Sequence, residues 1–441
     1  MNNDFRKKVL AMIVGTLITA PASAQTLTEA VQETLKTNPD ILFNIQERLA
    51  VDQEVRQARA GYYPSVNLNA GVGRERNDNA STTRLGSLTL VRHEAGVSLN
   101  QMLFDGFATR SEVERQTARV NSHAYTVHGS AEDTALFAIE MYLNVLRRQE
   151  LVVAAKENLK AHERTHDQIK LRSDSGIGRK SDFEQTVGRL ALARTNLLAE
   201  QTNLLDAEAN YLRIVGMMPD QLSMPELPES ALPASSDEAL NIALANHPTL
   251  KSAEADIEAT EAQNRAAKSA FYPRLDLELG ANKNKDLDGV KGDNNDSFAM
   301  LRLRYNLFSG GRDSARSAQT AHQINSAKDV RDRTQRQVIE SEQLSWNAYT
   351  VAKDQLEPLK MHVDASEQAR DAYRKQFDIS QRTLLDVLDS ENEVFVSRTA
   401  YLNGKYTVAY AQYRILASMG RLLETLNVAL PQESAPIEIK K

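Results

Sequence analysis

Residues 274–308, RLDLELGANKNKDLDGVKGDNNDSFAMLRLRYNLF, contain two short segments in which polar and apolar residues alternate. This period of two places the leucines on one strand face and the charged side chains on the other. The charged side chains are Asp276, Glu278, Arg302 and Arg304. Residues 282–296 separate the segments and form a polar loop rich in Gly, Asn, Asp and Lys, which is typical of a hairpin.

The two faces of this hairpin indicate a membrane location. An isolated hairpin with one apolar and one charged face is not stable in water. Strands of about ten residues that are apolar outside and polar inside suit the wall of a transmembrane barrel. We therefore expect the leucines to meet lipid, and the four charged side chains named above to face a barrel lumen.

The N-terminal residues 1–24 have the pattern of a secretory signal. Arg6, Lys7 and Lys8 precede an apolar run at residues 9–19, and Ala-Ser-Ala at residues 22–24 is a cleavage site of the A-x-A type. The apolar run is too short to span a bilayer, and no later segment approaches about 18 apolar residues. We expect cleavage near Ala24 and export of the mature chain.

The composition excludes several classes of function. The chain has no cysteine, so disulfides, thiolate metal sites and an acylated N-terminal cysteine are excluded. A net charge of −6 over 441 residues gives no indication of nucleic-acid binding.

The sequence contains an internal duplication. Motifs of the first half recur in the same order in the second: Asn38-Pro39 as His247-Pro248, Tyr62-Tyr63-Pro64 as Phe271-Tyr272-Pro273, Phe104-Asp105-Gly106 as Phe308-Ser309-Gly310, and Asp182 as Asp386. Each half is predicted to run helix, strand, loop, strand, very long helix, turn and long helix.

The predicted domain boundaries follow from this repeat. They are a signal at 1–24, a first repeat at 25–220 with strands in 64–104 and a tip near 173–182, a Pro-rich connector at 221–236, a second repeat at 237–427 with strands in 273–308 and a tip near 378–386, and a disordered tail at 428–441. A helix of about 65 residues would measure about 100 Å. The predicted class is therefore mainly α with a small β part, built on long antiparallel coiled-coil helices. Pro358 predicts a kink or local break in the second of these helices.

Four strands per chain cannot close a transmembrane barrel, because the smallest single-chain bacterial barrels have about eight. A barrel must close to remove its edges, so it is predicted to be shared between protomers. A cyclic dimer would supply eight strands and a filled interior, and a trimer twelve strands and a lumen. The charged inner faces favour the trimer, although periodicity alone does not fix the number.

The combination of these motifs resembles the TolC family of outer-membrane channels over nearly all of the mature chain. The Asn-Pro pair of the first repeat with its His-Pro counterpart, the Tyr-Pro pairs, the duplicated Phe-x-Gly and LDVLD at 385–389 carry the resemblance. Stretches similar to FDGFAT at 104–109 and HDQIKLRS at 166–173 occur in the type I secretion branch that exports large biofilm adhesins.

This resemblance implies a homotrimer with a shared twelve-stranded barrel in outer-membrane lipid and an α-helical tunnel, an α-barrel, crossing the periplasm. It also implies two protein partners, an inner-membrane ATP-binding-cassette (ABC) transporter and a periplasmic adaptor. No cofactor or catalytic group is expected, because the transporter supplies the energy.

Asp386 and Asp389 are the principal candidate site residues. Their i, i+3 spacing puts them on one helix face. Three copies would form a ring of carboxylates at the periplasmic entrance, where like charges repel and attract cations. The alternative is local, since Thr383 and Asp386 have the spacing of a capping box; both can hold together.

The repeat turns supply the other candidates. The family resemblance assigns a gating role to Arg382 and Asp182, which would join neighbouring helices and hold the entrance closed. Phe377 stands where the family's tyrosine is expected, and Ser380 where its glycine is expected. The first turn keeps Gly176, followed by Gly178. Solvated turn charges without a latch are the alternative.

Two metal-site motifs are weak. His162-Glu163-Arg164-Thr165-His166 matches H-E-x-x-H, but it lies in a polar coiled-coil segment without an obvious third ligand. Aspartates in the 282–296 loop lack the spacing of an EF-hand. We expect no metal site.

The expected function is a passive exit duct of type I secretion, opened when adaptor and transporter dock at its periplasmic tip. The alternatives are a drug-efflux duct of the same fold that serves an RND transporter, a periplasmic coiled-coil adaptor, and a zinc protease.

Overall fold

The computed structural model describes residues 25–84 and 86–437 of the chain. The predicted signal lies outside these residues. Within these residues the chain is mainly helical with one sheet of four strands, which confirms the predicted fold class. The main helices are α1 (Leu27–Thr37), α2 (Pro39–Ala60), α3 (Ala108–Asp174), α4 (Lys180–Val215), α5 (Ser236–Asn246), α6 (Pro248–Lys268), α7 (Arg312–Asp378), α8 (Leu384–Ser418) and α9 (Leu422–Thr425). The strands are β1 (Ser65–Asn77), β2 (Leu88–Phe104), β3 (Arg274–Lys285) and β4 (Asp293–Arg304).

The chain divides into two compact units, each assembled from separate stretches of sequence. One unit combines the residues up to Asn38 with Glu132–Ala239 and Gln343–Ala429, and it holds both hairpin tips. The other combines Pro39–Ala131, Leu240–Glu342 and the residues from Leu430, and it holds the sheet.

The sheet is antiparallel with strand order β1-β2-β3-β4. Pairing between β3 and β4 continues to Lys285 and Asp293, so the connecting loop is shorter than the 282–296 loop expected from sequence. Near the loop end of this hairpin, polar side chains form a hydrogen bond across the strands: Asn282 Nδ2 donates to Asp296 Oδ2 at 3.0 Å. A polar stretch can therefore be strand, because its side chains satisfy one another.

The two faces of the sheet differ in polarity. The polar face carries Asn67 and Asn69 of β1, Ser98 and Asn100 of β2, and the charged side chains of β3 and β4. The apolar face carries side chains that are largely exposed, including Leu68 (81%), Val72 (72%), Leu301 (65%) and Leu303 (67%). So many exposed large apolar side chains on one face mark a surface that is not suited to water.

The helices α3 and α7 occupy the same place in the two repeats and have 67 residues each. The helix α7 continues through Pro358 without interruption, so the local break expected from sequence does not occur. None of the helices in the described residues is long and apolar enough to cross a membrane.

The C-terminal tail departs from the disorder predicted for 428–441. Val428 is buried, and residues Gln432–Ser434 form a 3-10 turn. The Ile437 N–H donates to Asn121 Oδ1 at 2.7 Å, and Asn121 Nδ2 donates to the Ile437 carbonyl at 3.1 Å. The Asn121 side chain therefore satisfies both the backbone N–H and the backbone carbonyl of Ile437, although the two residues are far apart in sequence. Residues 438–441 lie outside the described part.

Candidate functional site

The two hairpin tips end their long helices in the same way. After α3, Gly176 adopts a φ of 75° and the next N–H, of Ile177, donates back to the Arg172 carbonyl at 3.0 Å. After α7, Ser380 adopts a φ of 61° and the Gln381 N–H donates to the Gln376 carbonyl at 2.8 Å. This left-handed helix ending favours glycine. Ser380 therefore occupies a glycine position with a side chain that costs strain. Gly178 closes the first tip by donating its N–H to the same Arg172 carbonyl at 2.9 Å.

We expect Ser380→Gly to stabilise the tip. A left-handed conformation costs a residue with a Cβ about 1–2 kcal/mol, and glycine loses part of that gain through its greater freedom in the unfolded chain. The net gain should be about 0.5–1 kcal/mol, measured as a higher midpoint of denaturant unfolding of the detergent-solubilised protein. Gly176→Ala is the matched control and should lower the midpoint. A midpoint for Ser380→Gly at or below wild type would contradict the strain.

Asp386 is the third residue of helix α8 and forms a capping box with Thr383, the residue that caps the helix. Its Oδ2 accepts hydrogen bonds from the Thr383 hydroxyl (2.9 Å) and the Thr383 N–H (3.1 Å), and its own N–H donates to Thr383 Oγ1 at 3.3 Å. These bonds hold the pKa of Asp386 below its usual range, so the side chain stays negative at neutral pH. The capping box proposed from sequence is thus present, and it fixes where this carboxylate sits. Asp182 has no such cap, because Arg179 stands where Thr383 would be; its carboxylate accepts from Ser181 Oγ at 3.4 Å.

Asp389 lies one turn further along α8 and forms an ion pair with Arg189 of α4. The aspartate side chain is 55% exposed and the arginine 31%, so the pair is partly open to solvent. An exposed pair of this kind contributes about 0.2–1 kcal/mol to stability. Its larger effect is on the local charge, because Arg189 offsets part of the negative charge that Asp389 brings to the tip. Sequence reasoning missed Arg189, since nothing in its neighbourhood indicates which side chain of α8 it meets.

Arg382 contacts its own hairpin. Its guanidinium lies over the Tyr373 ring at 4.3 Å, its Nε donates to Gln376 Oε1 at 3.1 Å, and its Nη1 is 3.9 Å from Asp386 Oδ2. No described hydrogen bond or ion pair joins it to Asp182 within one chain. The structure therefore brings Arg382 together with Asp386 and Tyr373, the latter a partner that the sequence reasoning did not identify.

Phe377 belongs to the apolar core of the tip. It packs with Phe183 against Ile169, Leu384 and Leu388. The Arg172 guanidinium lies 5.2 Å from the centre of its ring. A phenylalanine serves this packing without needing a hydrogen-bond partner, which a buried tyrosine hydroxyl would require.

Polar contacts above the tip join α8 to α3. Glu150 Oε1 accepts from the Lys405 ammonium at 2.9 Å and from the Tyr406 hydroxyl at 2.8 Å. Arg398 lies between Glu157 of α3 and Glu367 of α7 and donates to both. The second hairpin is thus tied to the first at several levels within one chain.

The charged residues predicted to line a lumen form one network on the polar face of the sheet. Arg304 donates to Asp276 Oδ2 at 2.8 Å and to Glu278 Oε1 at 2.6 Å. Arg302 donates to Glu278 at 2.8 Å, and Arg274 to Asp276 at 3.0 Å. Asp276 is fully buried beneath the two arginines that pair with it. Because all of these side chains meet, they share one face, as the alternating pattern predicts.

The H-E-x-x-H motif does not form a metal site. His162 is buried, and burial, together with nearby Arg189 and Arg374, lowers its pKa to about 4. His166 instead stacks near Phe183, with 5.5 Å between ring centres. Across the described residues, no group of three or more His, Asp or Glu side chains could hold a metal ion.

Comparison with known proteins supports a membrane channel. The sequence model of the family described as "Outer membrane efflux protein" matches residues 30–217 and 239–421, one match in each repeat. The outer membrane efflux protein BepC of Brucella suis is 26% identical over 413 residues, which cover 93% of this chain and 89% of BepC. The alkaline protease secretion protein AprF of Pseudomonas aeruginosa is 22% identical over 418 residues, 91% of this chain and 86% of AprF.

A solved structure shares the fold. The Campylobacter jejuni CmeC outer membrane channel superposes with a TM-score of 0.79, covering 90% of this chain and 86% of CmeC at 15% sequence identity. At this identity the likeness concerns the arrangement of helices and strands.

Proposed function

The chain belongs to the outer membrane efflux protein family, and we propose that within this family it serves as the exit duct of a type I secretion machine. As a member it is an outer-membrane channel for efflux or secretion, and a transport conduit rather than an enzyme. The zinc protease and the soluble adaptor are therefore excluded.

The two different faces of the sheet are the main support for a membrane-spanning duct. Its apolar face exposes Leu68, Leu301 and Leu303, whereas its polar face holds the network around Asp276. A sheet with free edges cannot remain in a bilayer, because unpaired backbone groups have no water to bond. We infer that β1 of one chain pairs with β4 of the next, and that three chains close a barrel of about twelve strands. The apolar face then meets outer-membrane lipid and the polar face lines a wet lumen.

The proposed gate lies at the periplasmic tips. Three copies of Asp386 and Asp389 form a ring of carboxylates around the axis, which draws cations into the entrance. Within each chain the capping bonds to Asp386 and the Arg189 pair fix the position of these charges. In the trimer, Arg382 and Asp182 of neighbouring hairpins hold the entrance closed, and docking of a periplasmic adaptor separates them.

We expect Arg382→Glu to open the duct. The reversed charge repels Asp386, 3.9 Å away in wild type, and removes the cation that holds the closed tip. Single-channel recordings of the purified protein in planar bilayers should show a conductance several-fold higher than wild type. Lys375→Glu, an exposed charge reversal in the last turn of α7, is the control and should leave conductance unchanged. Equal conductance of Arg382→Glu and wild type would remove Arg382 from the latch.

The route of export is the finer part of the proposal. The relative AprF is named for the secretion of alkaline protease, and BepC for efflux. The FDGFAT and HDQIKLRS stretches of this chain resemble the adhesin-exporting type I branch, which favours a protein cargo and an ABC transporter. The alternative partner is an RND efflux transporter.

Co-purification separates the two routes. The full-length tagged chain is crosslinked in cells of its own host, and the inner-membrane protein bound through the adaptor is identified by mass spectrometry. An ABC transporter is the expected partner. Recovery of an RND transporter would overturn type I secretion and leave the channel itself in place.

A further inference from the structure

An apolar pair interrupts the polar face of the sheet. Along β4, the residues on that face are Arg304, Arg302, Met300, Phe298, Asp296 and Asn294. The first two belong to the charged network with Asp276 and Glu278. The strand register between β3 and β4 runs without a shift, so Met300 and Phe298, two and four residues before Arg302, point to the same side.

The position of the Phe298 ring confirms its face independently. A Cβ added to Gly280, the cross-strand partner of Phe298, would lie 2.5 Å from the ring atoms Cε1 and Cζ. Gly280 is two residues after Glu278 and shares its face. The ring thus lies over the bare glycine backbone, which packs one side of the ring. In the single chain, where the β4 edge is unpaired, Phe298 keeps 40% of its surface exposed and Met300 keeps 42%.

We propose that Phe298 and Met300 form an apolar contact site on the lumen wall, which binds apolar segments of a polypeptide cargo in transit. This inference rests on the proposed function, because the polar face lines a lumen only if the barrel closes. Three copies put six apolar side chains at a level where the other strands of each chain place Glu278, Gly280, Ser98, Asn100, Ser65 and Asn67 on this face. An unfolded chain carries apolar side chains that gain by leaving water, and an aromatic face is an effective partner for them.

Two features favour contact with cargo over simple packing. Covering Gly280 uses only one face of the Phe298 ring, and in the single chain the rest of the side chain stays open. Met300 has no bare glycine to cover, because its cross-strand partner is Glu278, yet it extends the apolar surface beside Phe298. A flexible thioether beside an aromatic ring adapts to varied apolar side chains.

The first test fixes the direction of the side chain. The chain has one tryptophan, so Phe298→Trp is made in a Trp346→Phe background and reconstituted in nanodiscs. Its fluorescence should be quenched by aqueous iodide and not by brominated lipid. Leu301→Trp, on the opposite face, should show the reverse. Quenching of Phe298→Trp by brominated lipid would overturn the inference.

The second test measures binding. Two fluorescent peptides of equal length and charge, one with Leu and Phe and one with Ser at the same positions, are titrated with the reconstituted protein. We expect Phe298→Ser to raise the Kd of the apolar peptide about threefold to tenfold, the range of one lost aromatic contact. The serine peptide should be unaffected, and Leu301→Ser should behave as wild type.

The results distinguish a failure of the contact site from a failure of the proposed duct. If wild type conducts in bilayers and Phe298→Ser binds the apolar peptide as tightly as wild type, the contact site is wrong and the duct stands. If the protein neither inserts nor conducts, the duct is wrong and the contact site falls with it.

Discussion

Leu68→Arg should abolish assembly in the outer membrane. Leu68 is 81% exposed on the apolar face of β1, so in the proposed barrel it lies against lipid. An arginine on the lipid face of a barrel costs about 2–4 kcal/mol near the bilayer midplane, and a trimer carries it three times. Detergent extracts of cells that express the variant should lack the heat-modifiable oligomer that wild type gives on semi-native gels.

Asn67→Arg is the matched control for this experiment. Asn67 is the neighbour of Leu68 on the same strand, but it lies on the polar face opposite Ser98. An arginine there extends into a wet lumen and should leave the oligomer intact. If both variants assemble equally well, or if Asn67→Arg is the one that fails, the assignment of the two faces is wrong.

Asp386→Asn/Asp389→Asn should weaken block of the channel by trivalent cations by at least tenfold. The ring loses six negative charges in the trimer, and charges within a few ångströms of a bound cation each contribute about 1 kcal/mol even when fully solvated. Arg189→Gln should act in the opposite direction, because the cation paired with Asp389 is removed while the carboxylate remains. Block is measured as the concentration of hexamminecobalt that halves the current in planar bilayers.

Glu184→Gln supplies the control for charge at the tip. Glu184 is an exposed carboxylate on α4, close in sequence to Asp182 and outside the proposed ring. Its removal should change the blocking concentration little. If hexamminecobalt blocks the double variant, Arg189→Gln and Glu184→Gln at the same concentration as wild type, the two aspartates serve only as part of a helix cap and a surface ion pair.

Local patterns in the sequence predicted the fold well. The duplication fixed the order of elements, and alternation in residues 274–308 identified strands with a charged and an apolar face. Both signals depend on residues close in the chain or repeated in order, which a single sequence displays directly. The loop between β3 and β4 was predicted too long, because Asn and Asp are usually turn residues and the cross-strand bonds that hold Asn282 and Asp296 in strands leave no local mark.

The candidate site was predicted less completely for the same reason. The Thr383–Asp386 cap is a spacing of three residues and was visible. The partners Arg189 for Asp389 and Tyr373 for Arg382 depend on how the helices pack at the tip. The hydrogen bonds between Asn121 and Ile437 join residues 316 positions apart in the chain, and no sequence pattern connects them.

Single-channel recording of the purified full-length protein in planar bilayers would show whether the chain is a duct gated at its periplasmic tip. We expect discrete channels of small conductance in wild type and a several-fold larger conductance in Arg382→Glu. Reconstituted, correctly folded trimers that pass no current in either form would contradict a duct gated at its periplasmic tip.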